Sequence, residues 1–198
     1  MRYGLLMKNL LDYVMRVPAL DEKLCQNLIT ELDRKDWYDH PMYHHHKGEK
    51  VESEINQTTH SKVVTLGGTR NDSLLIESLF NPIQKYVTEL GKPFFNSWAG
   101  YTPIKYNKYE VGMSMAKHID HIYSIFDNDY GVPKGIPTLS VLGVLNDDYE
   151  GGEMELFDDT KIKLNRGEVI IFPSVFMYPH KICEVTKGTR YSFVSWVY

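Results

Sequence analysis

A segment near the start of the chain carries apolar residues at the spacing of an amphipathic α-helix. Between Pro18 and Leu32 they recur at positions 20, 24, 25, 28, 29 and 32, so that one face is apolar. The chain then turns polar and aromatic from Trp37 to Lys62 without a sustained period. This second segment is predicted to be a long loop and a candidate lid over a substrate cavity.

A second helix is predicted from an N-cap at Asn71 or Asp72 as far as Leu90. Pro82 is expected to kink or break it, because proline lacks the backbone N–H that the helix interior needs. Gly91 is the expected C-cap. Both helices should pack one apolar face on a sheet.

After residue 92 the pattern changes to short β-type runs separated by turn residues. The predicted strands are Phe94–Trp98, Thr102–Glu110, Ser114–Asp120, Thr138–Leu145, Met154–Phe157, Lys161–Leu164, Val169–Phe172, His180–Val185 and Tyr191–Tyr198. Two helices followed by strands in this number predict a mainly β protein in which helices buttress a double-sheet jelly roll. We expect one domain over residues 1–198, with helical support and lid in 1–92 and a β core in 93–198.

Composition narrows the classes of protein that remain. The chain has 22 basic and 26 acidic residues, a formal charge of −4, which lacks the basic footprint of a dedicated nucleic-acid binder. No apolar stretch approaches the roughly 20 residues that span a bilayer, and no signal peptide is evident, so a cytoplasmic location is expected. Cys25 and Cys183 are too few for a disulfide framework and are expected to be reduced.

Three residues have the chemistry of a metal site. His118 and Asp120 lie two apart in a predicted strand, so their side chains leave the same face. On their own they fit an exposed strand equally well. Together with His180 they form the set of two histidines and one carboxylate that binds non-haem Fe(II) and leaves coordination positions open. Zinc more often takes a third histidine or a cysteine.

Arg190 stands in an otherwise apolar terminal strand, where a guanidinium is costly to bury unless a carboxylate or phosphate meets it. Whether it shares a face with His180 depends on register. A three-residue loop, Lys187 to Thr189, would pair Thr186 with Arg190 and place Arg190 on the face of His180. A four-residue loop would place the two on opposite faces, and an exposed edge strand is the remaining alternative.

Five stretches of the second half, in their order and spacing, resemble the catalytic domain of the Fe(II)/2-oxoglutarate-dependent oxygenases, in the prolyl 4-hydroxylase-like branch. They are Tyr106–Gly112, His118–Asp120, Leu142–Glu153, Arg166–Pro173 and His180–Trp196. The resemblance implies a double-stranded β-helix, with Fe(II) bound by His118, Asp120 and His180. It also implies that Arg190 pairs with the distal carboxylate of 2-oxoglutarate.

Two further residues are assigned to 2-oxoglutarate by resemblance. Tyr109 stands where family members place a tyrosine hydroxyl on the distal carboxylate. Ser192 forms an Arg-x-Ser pair with Arg190, a pairing typical of another branch. Collagen-type prolyl hydroxylases usually carry lysine at the position of Arg190, and some members have a tyrosine where this chain has Gly143 and Val144.

The resemblance implies hydroxylation of an unactivated C–H bond with release of succinate and CO2. Fe(II), 2-oxoglutarate and O2 are the implied cofactors, and ascorbate is a further candidate. A peptide or protein is the leading candidate substrate, and a free amino acid or other small molecule fits the same site. An AlkB-like demethylase would carry another arginine six residues after Arg190, where this chain has Trp196. A jelly-roll binding module without turnover is the non-enzyme alternative, and Asp120 argues against a halogenase.

Other polar residues are expected to have ordinary roles. His44–His46 should be a solvated loop, since three adjacent side chains splay to different faces. His121 has the wrong offset to join the metal site. Lys105, Lys108 and Lys117 are expected to be solvated.

Overall fold

The computed structural model describes residues 9–40, 43–46, 49–52, 62–65, 68–91, 95, 97–120 and 137–198. The helices are α1 (Glu22–Leu32) and α2 (Asp72–Tyr86), with a 3₁₀ turn at Leu10–Tyr13 and a π turn at Val87–Gly91. The strands are β1 (Met15–Pro18), β2 (Tyr38–Asp39), β3 (Tyr43–His46), β4 (Glu49–Glu52), β5 (Lys62–Thr65), β6 (Lys105–Tyr109), β7 (Met115–His118), β8 (Leu139–Val144), β9 (Glu150–Gly151), β10 (Met154–Leu156), β11 (Thr160–Ile162), β12 (Glu168–Pro173), β13 (His180–Ile182), β14 (Val185–Lys187) and β15 (Arg190–Val197).

The strands form two principal antiparallel sheets within the described residues. The larger has the order β1-β12-β8-β15-β6-β5-β2 and the smaller the order β11-β10-β13-β7. β9 pairs with β14, and β3 pairs with β4. The chain is therefore mainly β with helices near its N-terminus, as predicted. In the described part of the chain, none of the helices has the length and apolar character needed to cross a membrane.

The first helix forms as its apolar spacing predicts. Asp21 is its N-cap, and its carboxylate accepts a hydrogen bond of 2.7 Å from the backbone N–H of Leu24. Cys25, Leu28 and Leu32 are buried and join the core between the helices and the large sheet. The helix thereby covers one face of that sheet.

We expect Leu28→Ala to lower the free energy of unfolding by about 2–5 kcal/mol, because Leu28 is 0% exposed and its removal leaves a cavity. Urea denaturation measures the change. Lys23→Ala, on the exposed face of the same helix, should change stability by less than about 0.5 kcal/mol. Equal stability of the two variants would contradict this packing of α1.

The second helix differs from the prediction in two details. It runs without a break through Pro82, and the change to a π turn comes only after Tyr86. Asn71 makes no side-chain capping bond. Instead, the Asp72 carboxylate accepts hydrogen bonds from the Thr69 hydroxyl and from the Tyr106 hydroxyl, both at 2.6 Å, which tie the start of α2 to the large sheet.

Neighbouring side chains on the strands of the large sheet point to opposite faces, and each face contributes to a different hydrophobic core. On β12, Val169 and Ile171 face the helices, whereas Ile170 and Phe172 face the smaller sheet. The helix-side core and the inter-sheet core are thus built from neighbouring residues of the same strands. The space between the two sheets is where the candidate site lies.

Several predicted boundaries were wrong. Short strands β2 to β4 occupy parts of the region from Trp37 to Lys62 where a loop was predicted, and β5 begins at its last residue. The described residues of Phe94–Trp98 are not in a strand, and the run His180–Val185 is divided between β13 and β14. β7 ends at His118, so Asp120 lies just beyond the strand.

Candidate active site

The three predicted metal ligands lie together between the two sheets. His118, the last residue of β7, is the register partner of His180, the first residue of β13, and their ring centroids are 4.4 Å apart. The Nε2 atoms of His118 and His180 lie 3.6 and 3.9 Å from Asp120 Oδ1. One donor atom from each of the three residues lies within 4.8 Å of the others. The group can therefore surround one ion from one side.

Both imidazoles are held through the nitrogen that faces away from Asp120. His118 Nδ1 lies 2.8 Å from the carbonyl oxygen of Ala116, and His180 Nδ1 lies 3.1 Å from that of Tyr178. A carbonyl only accepts, so each Nδ1 carries the proton and each Nε2 keeps its lone pair. This is the tautomer that a metal ligand requires.

Burial keeps the site in the protonation state suited to a cation. Together with the neighbouring His180 it lowers the pKa of His118 to about 4, so His118 is neutral at pH 7. Burial raises the pKa of Asp120, but His180 and His118 lower it, and the net shift is downward. Two imidazole nitrogens and one carboxylate are the donor set of an Fe(II) facial triad.

Asp120 also carries an unused acceptor. Its Oδ2 atom is buried, and none of the residues that the structure describes makes a hydrogen bond to it. Its backbone carbonyl accepts a hydrogen bond of 2.8 Å from the Ser174 hydroxyl, which fixes the residue beyond the end of β7. A buried carboxylate oxygen without a partner is costly, and a bound cation would satisfy it. The residues present therefore fit Fe(II).

Arg190 points into the same cavity and is only 4% exposed. Its Nη1 donates to the Ser192 hydroxyl at 2.7 Å, and its guanidinium carbon lies 5.0 Å from the centre of the Tyr109 ring. Its Nε is buried and has no hydrogen-bond partner in the described part of the chain. Among the described side chains no carboxylate forms an ion pair with it, so the guanidinium is suited to an anionic ligand.

The three-residue hairpin that would have placed Arg190 on the face of His180 does not form. Thr186 does not pair with Arg190, because β14 pairs with β9 and β15 pairs with β6 and β8. His180 and Arg190 lie in different sheets and meet because the two sheets face each other. Ser192, Val194 and Trp196 line the cavity with Arg190, as strand alternation predicts.

Gly152 leaves room for the Arg190 side chain. A Cβ at this position would lie 2.9 Å from Arg190 Cδ, and the backbone φ of +65° is in the region that favours glycine. In the sequence, Gly152 indicates only a turn. Its proximity to Arg190 follows from the tertiary structure.

Sequence reasoning missed two polar residues of the cavity, Asn107 and Lys105. Asn107, two residues before Tyr109 on β6, is 6% exposed, and its Oδ1 is buried with no hydrogen-bond partner among the described residues. Lys105, expected to be solvated, lines the cavity instead, and its Nζ contacts His40 Nε2. Burial lowers the pKa of Lys105 to about 8, against the opposing effect of Asp120. The alternation from Tyr109 back to residues 107 and 105 was the signal that could have found both.

Two predictions from the sequence concern side chains that the structure does not describe. His121 lies outside the described residues. His44–His46 have a described backbone, in β3, but their side chains do not belong to the described part. Of the lid region, His40 contributes a side chain to the cavity.

Comparison with known proteins points to one family. Residues 104–198 match the 2OG-Fe(II) oxygenase superfamily. A PKHD-type hydroxylase of Alteromonas mediterranea is 30% identical over 98 residues, which cover 48% of this chain and 42% of the relative. A PKHD-type hydroxylase of a Synechococcus species is 26% identical over 200 residues, covering 92% and 76%. The chain thus spans less than half the length of the first of these relatives.

The fold has close counterparts among solved structures. A prolyl hydroxylase from Trichoplax adhaerens, in complex with a peptide fragment of the hypoxia inducible factor oxygen degradation domain, aligns with a TM-score of 0.66. The alignment covers 95% of this chain and 85% of that one at 16% identity. The likeness identifies the fold as the double-stranded β-helix that the sequence resemblance implies.

Proposed function

Because residues 104–198 match the 2OG-Fe(II) oxygenase superfamily, we propose that the chain is a hydroxylase of this kind, in which His118, Asp120 and His180 bind Fe(II) and Arg190 binds 2-oxoglutarate. The observation that carries the proposal is their arrangement. Three metal-type donors face one cavity together with a buried arginine that has no carboxylate partner among the described side chains. The bound iron would supply the redox chemistry by which O2 oxidises a C–H bond while 2-oxoglutarate becomes succinate and CO2.

The protein residues position the reactants. The backbone carbonyls of Ala116 and Tyr178 orient the two imidazoles toward the metal, and the Ser174 hydroxyl holds the Asp120 backbone. Three protein ligands leave coordination positions for the co-substrate and for O2.

At the other side of the site, the Arg190 guanidinium would take the distal carboxylate of 2-oxoglutarate. Ser192 already accepts a hydrogen bond from Arg190 and fixes its direction. Tyr109, opposite Arg190 in the β6–β15 register, and Asn107, opposite Ser192, line the same wall. We assign Tyr109 to the distal carboxylate and Asn107 to the oxygen atoms nearer the metal.

Prolyl residues of a peptide or protein are the proposed substrate. The support is the likeness in fold to a prolyl hydroxylase whose structure contains a peptide fragment. His40, from the segment predicted to be a lid, lines the same cavity as the metal ligands.

We expect the protein to form succinate from 2-oxoglutarate in air only with added Fe(II), and His118→Ala to abolish this turnover. Chromatographic detection of succinate, with and without proline-containing peptides, measures it. Lys117→Ala is a matched control, because Lys117 is exposed and pairs with Asp158 on the outer surface. If the metal-loaded protein failed even to bind 2-oxoglutarate, the oxygenase proposal would be wrong and a binding module would be favoured.

A further inference from the structure

The cavity contains a second cation, Lys105, which the iron and 2-oxoglutarate assignments leave unused. Its Nζ contacts His40 Nε2, and since an ammonium only donates, His40 is the acceptor. Among the described side chains no carboxylate forms an ion pair with Lys105. The Lys105 ammonium is partly buried and contacts a neutral ring nitrogen. It therefore retains N–H donors for an anion.

Lys105 and Arg190 stand at opposite ends of the cavity wall. In the β6–β15 register, Tyr109 is opposite Arg190, and Lys105 is opposite Val194. Four residues of an extended strand span about 13 Å. 2-Oxoglutarate would use its distal carboxylate on Arg190 and its 1-carboxylate on the metal, so both of its anionic groups have other partners. The anion that Lys105 would bind must therefore belong to another molecule.

The position of Lys105 relative to the metal ligands suggests which molecule this is. Lys105 lines the same cavity as His118 and Asp120, and it lies four residues along β6 from Tyr109, the register partner of Arg190, so it flanks the metal ligands on the side away from Arg190. The reacting C–H bond must approach the metal while 2-oxoglutarate occupies the Arg190 side. The primary substrate would therefore approach the metal from the Lys105 side.

We propose that Lys105, oriented by His40, is the binding residue for a carboxylate of the primary substrate. The proposal rests on the function proposed above and narrows its substrate class to one with a carboxylate near the hydroxylated carbon. The carboxylate can be the terminal group of an amino acid or peptide, or an Asp or Glu side chain beside the reacting residue. A neutral analogue would bind more weakly because it leaves the remaining N–H donors of the ammonium without an anion.

The test uses trifluoroacetate as the carboxylate probe and protein loaded with Mn(II) and saturated with 2-oxoglutarate, so that no turnover occurs. Paramagnetic relaxation of the ¹⁹F signal reports probe bound near the metal, and trifluoroethanol is the neutral control. We expect trifluoroacetate to relax far more strongly than trifluoroethanol. Lys105→Met should reduce its binding by about ten-fold, the effect of losing one hydrogen bond to a charged group.

Two control variants separate charge from structure. Lys105→Arg keeps the cation and should retain binding. Lys108→Met, on the opposite face of β6, should behave like the wild type. Equal trifluoroacetate relaxation in Lys105→Met and wild type would overturn the proposal. So would a loss of 2-oxoglutarate affinity in Lys105→Met equal to its loss of trifluoroacetate affinity, because Lys105 would then belong to the co-substrate.

Displacement experiments identify the source of the carboxylate. Displacement of trifluoroacetate by N-acetyl-L-proline, but not by its amide, indicates a terminal carboxylate. Displacement by a capped Asp-Pro peptide, but not by Asn-Pro, indicates a side chain. Displacement by neither carboxylate contradicts a substrate role and leaves an adventitious anion only. Failure of the wild type to bind 2-oxoglutarate, measured first by calorimetry, would instead refute the function proposed above.

Discussion

Asp120→Asn should weaken divalent metal binding by about 100-fold or more while leaving the side chain the same size. Loss of an outer-sphere partner of a metal ligand costs 10–100-fold in affinity, and a direct ligand is worth at least as much. The amide removes the negative charge beside the two imidazoles and replaces an oxygen lone pair with N–H donors. Mn(II) titration followed by electron paramagnetic resonance measures the change without turnover.

Asp120→Asn should also reduce the stability that the protein gains from bound metal. At a metal concentration 100 times its Kd, binding stabilises the wild type by about 2.7 kcal/mol, whereas a 100-fold weaker site gains about 0.4 kcal/mol at that concentration. Urea denaturation with and without Mn(II) separates the two values. Asp158→Asn is the matched control, because Asp158 is an exposed carboxylate whose φ of 77° asparagine tolerates. Wild-type metal affinity in Asp120→Asn would exclude Asp120 as a ligand.

Arg190→Met should raise the Kd of 2-oxoglutarate by about 100-fold with little effect on metal affinity. Removing one partner of a buried, hydrogen-bonded charge pair costs about 2–5 kcal/mol, and 100-fold lies within that range. Methionine keeps the apolar stem against the Tyr109 ring but supplies no donor to a carboxylate. Calorimetric titration of the Mn(II)-loaded protein measures the affinity.

A shorter ligand tells whether Arg190 acts on the distal carboxylate. 2-Oxobutanoate keeps the groups that bind a metal but has no distal carboxylate, so Arg190→Met should leave its affinity unchanged. Arg16→Met controls for loss of an arginine, because Arg16 pairs with Glu168 at the exposed edge of the large sheet. If the variant weakened both ligands equally, Arg190 would be a structural residue of the cavity wall.

The residues changed in these two predictions belong to different sheets or their ends. The metal ligands come from the end of β7 and the start of β13, whereas Arg190 comes from β15. A variant that disturbed the packing of one sheet on the other would therefore weaken both ligands together. Separate effects of Asp120→Asn on metal and of Arg190→Met on 2-oxoglutarate would exclude general misfolding as their cause.

The sequence alone predicted those helices and strands that are stabilised by contacts between residues close together in the chain. The apolar spacing of α1 needs only one helix face, and Asp21 caps it through a residue three positions away. Most strands from β6 onward were also predicted, because turn residues delimit short alternating runs. Pro82 shows the limit of local reasoning. The buried face of α2 holds the helix together across a residue that lacks a donor.

The chemistry of the candidate site was likewise readable in part from the sequence. His118 and Asp120 are close in the chain, and Arg190 drew attention as a cation in an apolar strand. The residue types indicated an iron site and an anion partner. Their order and spacing supplied the resemblance to a family. None of these signals required knowledge of which strands are neighbours.

Only the tertiary structure decided how these residues meet. The sequence fixes which side of a strand a residue faces, but the partner of that strand and the layer opposite it depend on pairing between distant segments. Arg190 reaches the cavity of His180 by the facing of two sheets, where a hairpin had been predicted. Lys105 and Asn107 became cavity residues for the same reason, since burial of one strand face is a property of the layer that covers it.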